Sequence, residues 1–340
     1  MKRWLGKAET TIGNHSDRLN AINIFPVADG DTGTNLYLTV RAAAAALAST
    51  GDEEPSNDVG GVLSLAGRAA MENARGNSGT LFAVFLCAAA EPLVGHTRLS
   101  APLLATALNR AQIRAWSALS EPVPGTMLSV LEAAARAAGD TDALHQGDDS
   151  NHALGQALDA AVDAALDAVV QTEDQLAPLH AARVVDAGGV GMLLILDCLR
   201  SAILGEELQN ELLDGLHGYH VQDPHIHAGM PDDDGVEVMC TISLAPLAAA
   251  TLRQRLDELG DSVILSPVGS PAGEPGMDAD DDSDDASETS YLWRVHVHVP
   301  EAEQAVGIIR SLGEPIDISI SQLATPRDPG LPAGQHGHES

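Results

Sequence analysis

A two-domain chain is what the sequence predicts: an all-α domain over residues 1–205 followed by a smaller α+β domain over residues 235–323. Three observations carry this. The 340 residues exceed one ordinary domain and suit two. Hydrophobic residues make up 44% of the chain but aromatics only 3%, so the core must be built from Ala, Leu, Val and Ile, which favours packed helices. Hydrophobic spacing also changes along the chain, recurring every three or four residues up to about residue 204 and turning strand-like after residue 235.

The helical pattern predicts eight cores at 4–21, 36–48, 62–71, 79–90, 102–119, 127–138, 152–171 and 189–203, with a shorter piece at 175–182. Glycine and proline separate them. From 206 to 234 the composition shifts to Gly, His, Asp and Pro, which reads as a linker. Beyond it come a strand at 236–244, a helix at 248–259, strands at 262–265 and 291–299, a helix at 301–312 and a strand at 316–320. That βαββαβ order is the ferredoxin-like arrangement. An acidic, Pro/Gly-rich insertion over 267–290 and a tail over 324–340 have the composition of disordered segments.

Charge and cysteine usage narrow the function. A formal charge of −31 argues against nucleic acid as a partner, because phosphate backbones are held by clustered Lys and Arg. Lysine occurs only as Lys2 and Lys7, so no P-loop lysine follows a glycine-rich turn, and any nucleotide must be held another way. Cys87, Cys198 and Cys240 are scattered and odd in number, which suits a reducing cytoplasm rather than a disulfide framework. The N-terminal MKRWLGKAETT has no apolar signal core, and the most apolar stretch, 190–204, is interrupted by Asp197 and Arg200. No membrane span is predicted.

Four loops between plain helices are rich in Gly, Asp, Asn and Thr, and chemistry is expected there. In FPVADGDTGTN, Asp29 and Asp31 are one residue apart on a turn, so both carboxylates can face one cation, and hard oxygens that leave room for water and phosphate suit Mg²⁺. Taken alone, Asp-Gly-Asp is equally a turn and a helix cap. In ENARGNSGT, Gly76, Asn77, Ser78 and Gly79 open an apolar helix, where backbone N–H groups can approach an anion. EPVPGTML and RVVDAGGVG repeat the design at two further helix starts. Four such loops in one helical domain predict a single rim that holds a triphosphate and its metals.

NIFPVADGDTGTN, ARGNSGT, PGTML and VVDAGG occur in the order found in a known family. Over most of residues 1–205 the chain resembles the DhaL-like ATP-binding subunit of dihydroxyacetone kinases, and still more closely the kinase subunit of bacterial fatty acid kinases. The resemblance implies an eight-helix barrel binding ATP through paired Mg²⁺ ions. By that resemblance Asp29 and Asp31 are Mg²⁺ ligands at the catalytic centre, Asn23 stands where a third ligand is found, and Ser78 and Gly79 contact phosphate. Thr34, Asn35, Gly76 and Asn77 lie in the matching motifs, Thr126 and Met127 near the nucleotide, and Asp186, Gly188 and Gly189 close the rim. The implied acceptor is the carboxylate of a fatty acid presented by a separate lipid-binding protein, with a homodimer as a candidate assembly. A carboxylate is ionised at neutral pH and needs no general base, in keeping with loops that carry no catalytic His or Lys. The alternatives are the ATP-binding subunit of a glycerone-type small-molecule kinase, or a non-catalytic nucleotide-binding regulator. Set beside the fatty acid kinases it resembles, the chain is expected to lack their usual large C-terminal domain.

In the second domain His296 and His298 alternate on an expected strand, leaving one face about 7 Å apart. With Cys240, on another strand, they can be read as three ligands of Zn²⁺ or equally as ordinary strand residues. The middle domain of the fatty acid kinases shows the same Cys and His-x-His pattern. His217, His220, His225 and His227 lie in the segment between the domains and are expected to be mostly exposed.

Overall fold

A computed structural model describes residues 1–49, 58–219, 235–268 and 290–323. The central parts of the predicted insertion, the linker beyond 219 with His220, His225 and His227, and the tail lie outside the described residues.

The first domain contains α1 (Lys2–Ala21), α2 (Thr32–Ser49), α3 (Val59–Asn73), α4 (Gly76–Ala90), α5 (Ala101–Ala118), α6 (Met127–Leu144), α7 (Asn151–Gln175), α8 (Ala177–Ala182) and α9 (Ala187–Leu204). Consecutive helices from α1 to α7 pack side by side, and α9 packs on both α7 and α1, so the ring closes. Ala-rich faces let the helices approach closely, and almost every side of α4 and α9 is buried. That explains why neither has a polar stripe. Phe82 and Phe85 fill the centre without solvent contact, and truncating such a ring to Ala costs about 3–5 kcal/mol.

By length and composition α9 could cross a membrane, yet 89% of it is buried inside the protein. Its two charged residues form a buried pair, Arg200 Nε to Asp197 Oδ1 at 2.9 Å. The other oxygen of Asp197 accepts from Gln209 N at 2.9 Å, and Arg200 also reaches Glu206 at 2.6 Å. This pins the chain beyond α9. Residues 206–219 were expected to be linker, but Leu212, Leu213, Leu216 and Tyr219 are buried against the helices, so this part belongs to the first domain. His217, also in this part, pairs with Glu173 at 2.6 Å.

The second domain follows the predicted order: β1 (Val236–Leu244), α10 (Pro246–Asp257), β2 (Asp261–Pro267), β3 (Tyr291–Val299), α11 (Ala302–Leu312) and β4 (Pro315–Gln322). Its four-stranded sheet runs β2-β3-β1-β4 with every neighbouring pair antiparallel. Strand alternation divides its residues. Val238, Cys240, Ile242, Val263, Val295 and Val297 join the small core with α10 and α11. Ile264, on the other face, packs into the core of the first domain. The docking continues through Ser120 N to Val263 O at 3.2 Å and through Arg253, which donates to the last carbonyls of α5, Ser117 O at 3.1 Å and Ala118 O at 3.2 Å. A cation on a helix C-terminus is favoured by the helix dipole.

Candidate functional site

Helices begin earlier than their apolar pattern suggests. Thr34 and Asn35 lie in the first turn of α2, Gly76 to Gly79 in that of α4, and Gly188 and Gly189 in that of α9. Low helix propensity is tolerated there because first-turn N–H groups have no partner within the helix, and those N–H groups are what an anion needs.

Asparagines hold the first loop. Asn20, at the end of α1, accepts from Gly33 N at 2.8 Å and Thr34 N at 3.1 Å, capping α2 from a neighbouring helix, and donates to Thr34 Oγ1 at 2.9 Å. Buried Asn23 donates to Asp29 Oδ1 at 2.6 Å and accepts from Thr32 Oγ1 at 2.6 Å. Its amide oxygen is therefore engaged with Thr32, and its amide nitrogen orients Asp29. Burial and the adjacent charge of Asp31 push Asp29 up to about 8, and burial raises Asp31 as well. Two carboxylates sharing a partly dry site resist joint ionisation.

Gly76 adopts φ +57°, and the amide of Asn35 occupies the space where a Cβ would project. Gly79 lets α4 close on Thr39 of α2. Ser78 Oγ donates to Thr32 O at 3.2 Å, tying the second loop to the first. At the other two loops Thr126 caps α6 and Asp186 caps α9, the latter accepting from Gly189 N at 2.7 Å. Burial pushes Asp186 up to about 7, and the hydrogen bonds from Gly189 and Met127 N–H only partly offset it.

The four helix starts converge on a two-lobed cleft. A polar lobe of ≈ 250 Å³ is lined by Asn23, Asp29, Asp31, Thr34, Asn35, Gly76 and Arg75. A second lobe of ≈ 250 Å³ is lined by Phe25, Leu81, Leu119, Val123 and Met127 with Thr126, Asp186 and Gly188. Both share Pro26, Val27, Thr32, Asn77 and Ser78. Gly79 and Gly189 shape the walls rather than lining the space.

The second domain covers this cleft. Glu237 and His298 line the polar lobe, and Asp261 and Ser262 the other. Glu237 Oε1 accepts from Gly76 N at 2.9 Å, and Asn77 Nδ2 donates to Ser262 Oγ at 3.2 Å. The expected grouping of Cys240 with the two histidines does not form. Cys240 does not meet His296 and His298: it pairs with Val295 and is fully buried in the core on the opposite face of the sheet. Glu237 takes that place, opposite His298 in the β1–β3 register and 2.9 Å from His296 Nε2. Burial alone would raise Glu237, but its contact with His296 outweighs it and holds the carboxyl down at about 2. Burial, with the nearby His296, drives His298 down to about 3.

Fold and site together define a helical domain that gathers helix N-termini around a carboxylate pair and is capped by a small antiparallel sheet domain. The DAK2 domain matches residues 26–201, just over half of the chain, and the protein belongs to that family. Uncharacterized proteins of Staphylococcus aureus strains USA300 and COL are 25% identical over 266 residues, covering 75% of this chain and 46% of theirs. The chain thus spans about half the length of these curated relatives. The crystal structure of the dihydroxyacetone kinase from C. freundii in complex with AMP-PNP and Mg²⁺ is 22% identical, with a TM-score of 0.43 over 59% of this chain and 33% of that one. The native form of that enzyme gives 21% and 0.42.

Proposed function

We propose that this protein is an ATP- and Mg²⁺-dependent phosphotransferase that transfers the γ-phosphate to the carboxylate of a fatty acid presented by a separate lipid-binding protein, as in the bacterial fatty acid kinases. On this reading the helical ring is the eight-helix DhaL-like barrel and the capping domain is ferredoxin-like. The observation that carries the proposal is the carboxylate pair Asp29 and Asp31, set among four helix N-termini in a DAK2 chain.

The residues fit the cofactor. Asp29 and Asp31 are costly to ionise together, and a divalent cation would remove that cost. Two Mg²⁺ ions, when bound, would neutralise charge building on the phosphates. First-turn N–H groups of α2 and α4 and the Ser78 hydroxyl would orient those phosphates, while the apolar walls of the second lobe suit a base. Asn23 steers Asp29, and the sheet domain excludes water from above. His298 is the one imidazole among the described residues lining the polar lobe, and at about 3 it is a weak base at neutral pH. An acceptor that arrives already ionised needs none.

A pull-down from native cell extract, followed by an ATP-consumption assay with the protein and lipid that co-purify, tests the assignment. Acyl-chain-dependent ADP release is expected. Turnover with dihydroxyacetone instead would establish the small-molecule kinase. Tight Mg·ATP binding without turnover on any acceptor would establish a nucleotide-binding regulator.

A further inference from the structure

Glu237, His296 and His298 leave one face of the sheet, and a potential ligand atom from each lies within 4.8 Å of the others. His296 is 0% and His298 5% exposed, and burying such groups is expensive unless each is partnered. The carbonyl of Ser262, 2.9 Å from His296 Nδ1, can only accept, so Nδ1 carries the hydrogen. In the neutral ring Nε2 is then a bare lone pair, yet it faces Glu237 Oε1, another acceptor, at 2.9 Å. Something must bridge these two acceptors, either a proton, on the ring or on the carboxyl, or a metal cation.

His298 favours the cation. Its ring lies 4.9 Å from that of His296, and its Nδ1 has no hydrogen-bond partner among the described residues. The Asp261 carboxylate, at 3.7 Å, is beyond hydrogen-bonding distance. A bridging proton would serve only the pair Glu237 and His296 and leave His298 Nδ1 unpartnered, whereas a metal ion would use all three groups. Outer contacts already fix the ligands: Ser262 O orients His296, and Gly76 N and Ser321 Oγ, at 2.9 Å and 3.1 Å, orient Glu237. Metal-bound imidazoles and carboxylates are generally held in this way.

We propose that Glu237, His296 and His298 form a divalent-metal site, suited to Zn²⁺ or a similar borderline ion, at the seam between the sheet and the helical rim. Two imidazoles and one carboxylate form the donor set of zinc sites that keep a fourth position open. Glu237 and His298 open onto the lobe that contains Asp29 and Asp31. The all-oxygen pair there favours Mg²⁺ and the nitrogen donors a softer ion, so the two sites select different metals. Cys240 takes no part. Metal content is read independently of phosphoryl transfer, so failure of this proposal and failure of the kinase reading are distinguishable.

The test is titration of the full chain, stripped by a chelator, with Co²⁺ followed by visible absorption, and with Zn²⁺ followed by calorimetry. One ion per chain is expected, without the strong near-ultraviolet band of a thiolate ligand. Glu237→Gln and His298→Gln, checked for folding by circular dichroism, should each weaken binding at least about 100-fold, the upper end of what loss of an outer contact alone produces. Cys240→Ser should bind like wild type. Absence of a stoichiometric ion, a thiolate band, loss of binding in Cys240→Ser, or wild-type affinity in folded Glu237→Gln would each overturn the assignment.

Discussion

The rim of the helical domain and the face of the sheet that covers it meet at one cleft but are built differently. At the rim each functional group lies within a few residues of a helix start, so short segments such as 29–35 and 76–79 carry both the fold and the chemistry. On the sheet the same density of polar groups comes from Glu237 and His298, far apart in sequence and joined only by strand register. Local sites survive changes elsewhere in a fold, whereas register-made sites depend on the whole sheet and its docking.

Substitutions can break or sharpen that contrast. The largest effect is expected from Asp31→Asn, which should lower nucleotide turnover about 10²–10³-fold, as the loss of one group that stabilises developing charge does. Its far-UV circular dichroism should match wild type; turnover equal to wild type would remove the rim from the mechanism. Asp186→Asn comes next. The folded carboxyl is raised from 3.8 to about 7, so its stabilising contribution is complete below pH 3.8 and lost as pH rises through about 7. Thermal melts should show the difference between wild type and variant opening across that window, by about 2–4 kcal/mol at pH 8. A constant difference would deny the burial of this cap.

Gly76→Ala should cost about 1–2 kcal/mol, the penalty for a side chain in the left-handed region. It should also displace Asn35, and a melting temperature equal to wild type would contradict the close approach at this position. The smallest effect belongs to the docking contact. Arg253→Ala should cost about 0.3–1 kcal/mol, read as faster hydrogen exchange at the α5 end and in β2, with Mg-nucleotide affinity unchanged.

Much of this was legible in the sequence because periodicity and punctuation are local. Strands 236–244 and 291–299 coincide with β1 and β3, and the four loops do converge. Helix starts were read late because glycines in the first turns of α2, α4 and α9 look like loop, although N–H groups there need no intrahelical partner. Asn20 was missed because its role is a cap on another helix, which no spacing within α1 reveals. Cys240 was misplaced and Glu237 overlooked for a single reason: alternation puts 237 and 240 on opposite faces, and only the pairing of β1 with β3 says which face holds the histidines.

The central claim is that Asp29 and Asp31 turn four helix N-termini into a Mg²⁺-nucleotide site. Calorimetric titration with a non-hydrolysable ATP analogue, with and without Mg²⁺, on wild type and Asp31→Asn tests it most directly. One analogue per chain should bind wild type only when Mg²⁺ is present, and Asp31→Asn should bind it far more weakly. Equal binding in the presence of a chelator, or an unchanged affinity in the variant, would contradict the account.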